Sequence, residues 1–248
     1  MCERCFGHDE PAPNGGADFA SATRRGFLFL GLGFLAGCAQ QAALGPMPGP
    51  PWPLEPGAPA SFPSGPVPQP PLGADAAWRR NVVPRSAWAQ GDPATLQMDR
   101  MSAISDITVH HDGMDAFRAT DRDSVAEHLE AIRQLHRRKG WGDIGYHFAV
   151  DPAGRVWEAR PLSFQGAHVR DHNPGNIGIV VLGNYELQTP NEQQLAALRG
   201  LLASLMQAYG VPVSRVHSHR EWGGAKTECP GSSLQAQFVR LRRSGALG

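Results

Sequence analysis

Residues 145–160 of this 248-residue sequence, GYHFAVDPAGRVWEAR, have the pattern of two strands joined by a tight turn. The two arms, 145–150 and 155–160, are short and rich in the apolar and β-branched residues of strands. The joining segment, Asp151-Pro152-Ala153-Gly154, has proline at the second and glycine at the fourth position of a β-turn. We therefore expect an antiparallel hairpin in the middle of the folded part.

Strand and helix patterns alternate around this hairpin. One strand is expected to end at His110, and the unbroken apolar run 177–182 is typical of a strand buried on both faces. A helix is expected between Asp121 and Lys139, with Gly140 as its stop. The apolar residues behind these predictions are Ile104, Ile107 and Val109 in the strand, and Val125, Leu129, Ile132 and Leu135 in the helix.

The C-terminal part predicts a second long helix. Thr189 is expected to be its N-cap, with Pro190 at the first helical position and Glu192 completing a capping box, and the helix runs to Gly210. Its apolar face comprises Leu195, Leu198, Leu202 and Leu205, and a strand at 214–217 and a helix opening at Ser232 or Ser233 follow. The alternation predicts one α/β domain over 78–248, a central mixed sheet flanked by helices.

The N-terminal residues predict export. Arg24 and Arg25 precede the apolar run 27–35, which is about half of the roughly 20 residues that a membrane-spanning helix needs. The arginine pair resembles a twin-arginine signal, although a generic secretory segment is the alternative. Leu35-Ala36-Gly37-Cys38 resembles a lipoprotein processing site, in which Cys38 is acylated. We assign residues 1–38 to a signal segment with these features.

Residues 39–77 are rich in proline, glycine and alanine and predict a tether. An extended proline-rich chain spans about 3.1 Å per residue, so the tether can hold a domain on the order of 100 Å from a lipid anchor. Ala39 and Gln40 after the acylated cysteine lack the aspartate associated with inner-membrane retention. We therefore expect anchoring in the outer membrane, facing the periplasm.

Charge and cysteine content indicate which binding partners to expect. The 23 basic and 23 acidic side chains cancel, so no overall field attracts nucleic acid, and we expect none as a partner. Of the four cysteines, Cys2 and Cys5 leave with the signal and Cys38 is lipidated, which leaves Cys229 as the one remaining thiol. A bound metal is the commonest occupant of such a thiol in an oxidising compartment.

His110, His219 and Cys229 are candidate metal ligands because each lies where the chain changes direction. Catalytic zinc takes three ligands from histidine, cysteine or carboxylate and leaves a fourth position for water. A sequence with 10 histidines offers many accidental triads, so the spacing alone is weak support.

The neighbourhoods of these residues form an ordered set of motifs. In chain order they are Arg85-Ser86-Ala87-Trp88, Val109-His110-His111, Asp143-Ile144-Gly145-Tyr146-His147-Phe148, Gly166-Ala167-His168, Asn176-Ile177-Gly178-Ile179, His219-Arg220 and Thr227-Glu228-Cys229-Pro230-Gly231. Together they resemble the zinc-dependent N-acetylmuramoyl-L-alanine amidases (amidase type 2), a family that includes phage lysozyme-type amidases and peptidoglycan recognition proteins. The resemblance covers roughly residues 80–243.

The resemblance implies one zinc ion in a surface groove, held by His110, His219 and Cys229, with Tyr146 as a catalytic residue. It implies hydrolysis, by zinc-activated water, of the amide bond between N-acetylmuramic acid and L-alanine. The expected partner is peptidoglycan or muropeptides, and we expect a monomer.

One departure from the family pattern affects the second catalytic position. Thr227 matches a site held by threonine or lysine in the family, but the segment from His219 to Cys229 is about two residues longer than expected. The extra length includes Gly223-Gly224 and places Lys226 beside Thr227. Either Lys226 or Thr227 can therefore face the substrate.

Four further residues are candidates for substrate binding. His168 matches a position that lines the family's groove, and His111, Trp141 and Asn173 are assigned with it. For His111 a packing role is the alternative, and Trp141, Trp157 and Trp222 can instead be core aromatics. Among the other histidines we expect His128 and His136 on a solvated helix face, and His147, His172 and His217 in structural roles.

Two other functions remain open. Some proteins of the family that the sequence resembles bind peptidoglycan without cutting it. A zinc peptidase that acts within the stem peptide would use the same ligands. The candidates for a general base are Glu158 and Glu221.

Overall fold

The computed structural model describes residues 81–245 and Leu247, which form a mixed six-stranded sheet with three long helices. The strands are β1 (Val82–Val83), β2 (Asp106–His111), β3 (Phe148–Val150), β4 (Val156–Glu158), β5 (Asn176–Val181) and β6 (Val216–Ser218). The helices are α1 (Arg122–Arg138), α2 (Glu192–Tyr209) and α3 (Ser232–Arg243). The predicted fold class is confirmed.

The sheet has the order β1-β4-β3-β5-β2-β6. Only the β3–β4 pair is antiparallel among the named strands, and the other four pairs are parallel. The antiparallel pair is the predicted hairpin, closed where the Gly154 N–H donates to the Asp151 carbonyl at 2.9 Å. Parallel strands need crossover connections, and these place helices on both faces of the sheet.

Two apolar layers cover the two faces. Alternate residues of the central strands pack against α2 and α3, and this layer includes Ile107, Val109, Ile177, Ile179, Leu198, Leu202, Leu205 and Phe238. The intervening residues pack against α1, and that layer includes Val125, Leu129, Ile132, Ala149, Trp157, Val180 and Leu182. All six residues of β5 are buried, as the unbroken apolar run predicted. Successive side chains of a strand point to opposite faces, and both faces of the sheet are covered, so residues of both sets are buried.

The first helix begins and ends where the sequence predicts. Asp121 caps α1 by accepting from the Ser124 N–H, and Lys139 is the C-terminal cap. The hairpin strands are shorter than predicted, but pairing continues beyond them, since the Arg160 N–H donates to the Tyr146 carbonyl at 2.8 Å.

The start of α2 was predicted wrongly. Its N-cap is Asn191 rather than Thr189, and the capping box joins Asn191 to Gln194 rather than Thr189 to Glu192. Asparagine is a stronger N-cap than threonine, and its Nδ2 also donates to the Pro152 carbonyl at 2.8 Å, which ties the helix to the hairpin turn. The last strand is also displaced, because a 3-10 turn at Val213–Arg215 occupies the start of the predicted segment.

The predicted signal segment 1–38 and tether 39–77 lie outside the described residues, as do Cys38 and the first residues of the predicted domain 78–248. Within the part that the structure describes, no helix is long and apolar enough to cross a membrane.

Replacing Asn191 by alanine should lower the free energy of unfolding by about 1–2 kcal/mol, because the cap and the bond to Pro152 are both lost. Urea unfolding followed by circular dichroism measures the change. Thr189→Ala is the matched control: Thr189 is exposed, so its loss should change stability by less than about 0.5 kcal/mol. A larger loss at Thr189 than at Asn191 would contradict the observed cap.

Candidate metal centre

Three side chains converge at one edge of the sheet. His110 lies near the carboxyl end of β2, and His219 follows β6 directly. Because β2 and β6 are parallel, their carboxyl ends meet at the same edge. Cys229 returns to this edge from the loop that precedes α3. One ligand atom of each residue lies within 4.8 Å of the others.

Arg220 joins the two ends of the loop that carries His219 and Cys229. Its backbone N–H and its Nε–H both donate to the Cys229 carbonyl, at 3.1 and 3.4 Å. Its guanidinium also donates to the Glu228 carbonyl and lies 3.6 Å from the Glu186 carboxylate. This role of Arg220 was not predicted, although Arg220 directly follows a candidate ligand in the sequence.

Burial keeps the two candidate histidines neutral. His110 and Cys229 are each 1% exposed. Burial, and after it the neighbouring rings of His219 and His168, holds the pKa of His110 well below its ordinary value. Burial also lowers the pKa of His219 to about 4, with a smaller effect from His111. Near neutral pH both imidazoles therefore have a nitrogen lone pair to offer a metal.

The donor set fits zinc. The His219 Nδ1 atom is buried and has no hydrogen-bond partner among the described residues, as expected for a nitrogen that serves as a metal ligand. Imidazole and thiolate are both donors in catalytic zinc sites with three protein ligands. A zinc ion at His110, His219 and Cys229 therefore agrees with the chemistry of the cluster.

Tyr146 lies beside this cluster. Its ring is buried, with its centroid 5.1 Å from that of His110. The segment before it is held by the buried Arg160 guanidinium, which donates to the Ile144 carbonyl at 2.7 Å and to the Asp143 carbonyl at 3.1 Å. The structure thus brings Tyr146, for which a catalytic role is predicted, beside a candidate metal ligand.

Thr227 and Lys226 differ in their environments. Thr227 is half-buried, and its Oγ1 accepts from the Cys229 N–H at 3.1 Å. Lys226 is exposed. Thr227 is therefore the residue that contacts the backbone of a candidate ligand.

The four candidate substrate residues occupy different environments. His168 lies behind His110, and Asn173 supports it, because the Asn173 Oδ1 accepts from the His168 N–H at 2.9 Å. Trp141 is half-buried against His136, with ring centroids 4.6 Å apart. His111 is buried, and its Nδ1 accepts from the Tyr185 N–H at 3.2 Å. Its burial agrees with the packing alternative rather than with a groove residue. The groove itself stays a prediction.

The prediction of a solvated face for His128 and His136 was wrong. His136 is buried on the stripe that continues from Ile132, and its Nδ1 accepts from the Gly145 N–H at 2.9 Å. The Nε2 of His128 lies 3.1 Å from the buried Asp112 carboxylate. Helical spacing indicates the burial of His136, because residues four apart share a face and Ile132 is buried. The prediction of a solvated face relied instead on the polarity of histidine.

The remaining candidates have contacts within the protein. Glu158 accepts from the Arg85 N–H at 3.3 Å, and Glu221 accepts from the Ser218 N–H at 2.8 Å. Trp157 is buried in the core, which agrees with the core alternative given for the tryptophans. The Nε1 of Trp222 donates to the Thr108 hydroxyl at 2.9 Å. His147 has the predicted structural role, since its ring contacts the Phe164 carbonyl and the Gly178 N–H.

Fold and site together define a class: single α/β domains with a candidate three-ligand metal centre at the carboxyl ends of parallel strands. Within this class, the chain belongs to the N-acetylmuramoyl-L-alanine amidase family, whose sequence model matches residues 100–232.

Known proteins similar to the chain include amidases and recognition proteins. Pig N-acetylmuramoyl-L-alanine amidase is 32% identical over 160 residues, 62% of this chain and 26% of that protein. Peptidoglycan-recognition protein SC2 of Drosophila simulans is 32% identical over 155 residues, 62% of this chain and 82% of that protein. The chain therefore spans about a quarter of the length of the pig relative and most of SC2.

The fold is also similar to that of a solved complex. A tyrosine-to-phenylalanine variant of Drosophila PGRP-LB in complex with tracheal cytotoxin superposes with a TM-score of 0.57 at 26% identity. The match covers 65% of this chain and 92% of that one.

The burial of His136 predicts acid sensitivity. Burial lowers the pKa of His136 from 6.5 to about 3, so between these values the unfolded chain binds a proton that the folded chain does not. Stability should therefore fall as the pH falls through this window. In His136→Asn, whose Oδ1 can still accept from the Gly145 N–H, the slope between pH 4 and 6 should be about 1.4 kcal/mol per pH unit smaller than in the wild type. Urea unfolding at a series of pH values, with chelator present, measures both slopes. Parallel stability curves would contradict the prediction.

Proposed function

We propose that the protein is a zinc-dependent peptidoglycan hydrolase that cleaves the amide bond between N-acetylmuramic acid and L-alanine. The observation that carries this proposal is the convergence of His110, His219 and Cys229, whose ligand atoms lie within 4.8 Å of one another. Membership of the amidase family supports the reaction, and the names of the relatives support peptidoglycan or its fragments as substrate.

His110, His219 and Cys229 would hold one zinc ion. Zinc with three protein ligands supplies a water molecule whose pKa is lowered to about 7, and it polarises a carbonyl oxygen. The contribution of the chain is to keep both imidazoles neutral by burial and to hold the cysteine in place through Arg220 and Thr227.

Amide hydrolysis puts negative charge on the carbonyl oxygen, which hydrogen-bond donors can stabilise. We assign the Tyr146 hydroxyl as one donor, because the Tyr146 ring packs beside His110. Thr227 is the second, in preference to Lys226. Its oxygen accepts from the Cys229 N–H, and a hydroxyl that accepts in this way keeps its own O–H for donation.

The test is digestion of purified peptidoglycan by the full-length, detergent-solubilised protein, with products identified by mass spectrometry. An amidase releases peptides that begin with L-alanine and leaves the glycan strands intact, and chelator should abolish the release until zinc is added back. Cys229→Ser should weaken zinc binding by more than the roughly 10- to 100-fold that loss of a ligand's outer partner costs, and should abolish turnover.

Tyr146→Phe is the matched control for metal loading. It should retain zinc and wall binding while kcat falls by about 100- to 1000-fold, the cost of one lost donor to the oxyanion. Wall binding by the zinc-loaded wild type without cleavage would overturn the enzyme proposal and leave a recognition module. Products cut within the stem peptide would instead identify a peptidase.

We further propose that the domain is exported, cut before Cys38 and anchored through that cysteine to the outer membrane, facing the periplasm. The arginine pair and the processing motif of the sequence support this proposal. The tether 39–77 would then let the domain reach a substrate far from the lipid.

Cys38→Ser should release the protein from the membrane fraction without changing its folded domain. Fractionation of cells, with immunoblotting of the membrane and soluble pools, measures the shift. A Cys38→Ser protein that still sediments with membranes would contradict the anchor proposal. Cys2→Ser and Cys5→Ser are the controls and should leave fractionation unchanged.

A further inference from the structure

We propose that His168 is a positioning residue that fixes the tautomer of His110, so that His110 presents Nδ1 and not Nε2 to the metal. The inference deepens the proposed function and rests on it, because His110 is a ligand only if the site holds zinc. His168 acts through His110 and touches neither metal nor substrate.

The hydrogen bonds of the two rings form a chain with a defined direction. The His168 Nε2 lies 3.2 Å from the Asn176 carbonyl oxygen, and the His168 Nδ1 lies 3.1 Å from the His110 Nε2. A carbonyl can only accept, so His168 has its proton on Nε2 and, being neutral, accepts at Nδ1. The proton between the rings therefore belongs to the His110 Nε2, which leaves the His110 Nδ1 with a lone pair.

The free nitrogen of His110 faces the other ligands. The Cys229 Sγ lies 3.6 Å from the His110 Nδ1, whereas the Nε2 of the same ring faces His168. Metal-binding histidines commonly donate their second N–H to an outer partner, which sets both tautomer and ring orientation. In this protein that partner is a second imidazole.

Two glycines make room for the His168 ring. A Cβ atom added at Gly178 would lie 2.5 Å from the His168 Cδ2, and one added at Gly166 would lie 2.2 Å from the same atom. Both distances are well below contact, so either side chain would displace the ring. The glycines of the Gly-Ala-His and Asn-Ile-Gly-Ile motifs thus form a cradle for one imidazole.

The acceptor at the end of the chain is itself fixed. Asn176 pairs with Asp106 in the parallel ladder, and its Oδ1 accepts from the Thr108 hydroxyl at 2.9 Å. Thr108 in turn accepts from the Trp222 Nε1, on the loop between the other two candidate ligands. The orientation of His110 is therefore coupled to the loop that carries His219 and Cys229.

This arrangement argues against a groove role for His168. The side chain is only 8% exposed, and both of its ring nitrogens have partners within the protein. No ring nitrogen remains to bind substrate.

Zinc affinity of two His168 variants tests the proposal. His168→Phe keeps an aromatic ring but removes both nitrogens, including the acceptor for His110, so zinc affinity of the full-length protein should fall about 10- to 100-fold. His168→Asn places Oδ1 near the position of Nδ1 and should restore most of that loss, which a purely structural role does not predict. Competition with a chromophoric chelator measures the dissociation constants. Equal affinities in the wild type and His168→Phe would overturn the proposal.

Gly178→Ala probes the same contact without changing any ring. It should weaken zinc binding as His168→Phe does, because the new Cβ displaces His168. Gly200→Ala, on the exposed face of α2 with no atom within 4 Å of the added Cβ, is the control and should bind zinc like the wild type. Wild-type affinity in Gly178→Ala would contradict the cradle.

Nuclear magnetic resonance of ¹⁵N-histidine protein reads the tautomers directly. With zinc bound, the His110 Nε2 should have a proton and Nδ1 should show the shift of a metal-bound nitrogen. Zinc on Nε2 would overturn the inference. A wild type that binds zinc through Nδ1 but releases no peptide would refute the proposed function and leave the inference standing, and failure to bind zinc would refute both.

Discussion

The parallel pairing of β2 with β6 is the constraint on which the candidate metal centre depends. In this register Val109 lies opposite Ser218, so the next residues along the two strands, His110 and His219, reach the same edge together. A slip of one residue would turn every side chain of β2 to the opposite face and remove His110 from the site. All six residues of β2 are buried, and Ile107 and Val109 lie in the apolar layer of α2 and α3. A slip that put Thr108 and His110 in their place would therefore be costly.

A second constraint is the burial of histidines in the neutral state. A neutral imidazole has one donor and one acceptor, so it can join a backbone N–H to a backbone carbonyl, as His147 joins Gly178 to Phe164. His136 and His111 likewise accept from backbone N–H groups. These bonds brace the loops around the centre. Burial lowers the pKa of all three rings, so in acid the unfolded chain binds protons that the folded chain does not, and stability falls.

Local patterns predicted most of the fold, the family resemblance predicted the candidate ligands that converge in the structure, and tertiary contacts decided the rest. Apolar period and turn chemistry located α1, the hairpin and β5, because these signals lie within a few residues of one another. The α2 cap was missed because Thr189 and Asn191 both satisfy capping rules. Asparagine is only a somewhat better cap than threonine, and the contact of Asn191 with Pro152 lies outside any local pattern. The setting of His168 depends on Gly178, a residue ten positions away on a strand, and no local pattern shows that contact.

The loop between His219 and Cys229 shows why spacing in the sequence was a weak guide to the candidate ligands. Its ends are joined where Arg220 bonds to the Cys229 carbonyl, and Trp222 fixes its first half to Thr108. Gly223 and Gly224 are exposed beyond these anchors, so added residues lengthen only the outer part. Loop closure costs about 0.6 kcal/mol for each doubling of length, which makes two extra residues nearly neutral. Convergence of His219 and Cys229 therefore depends on these contacts and not on the number of residues between them.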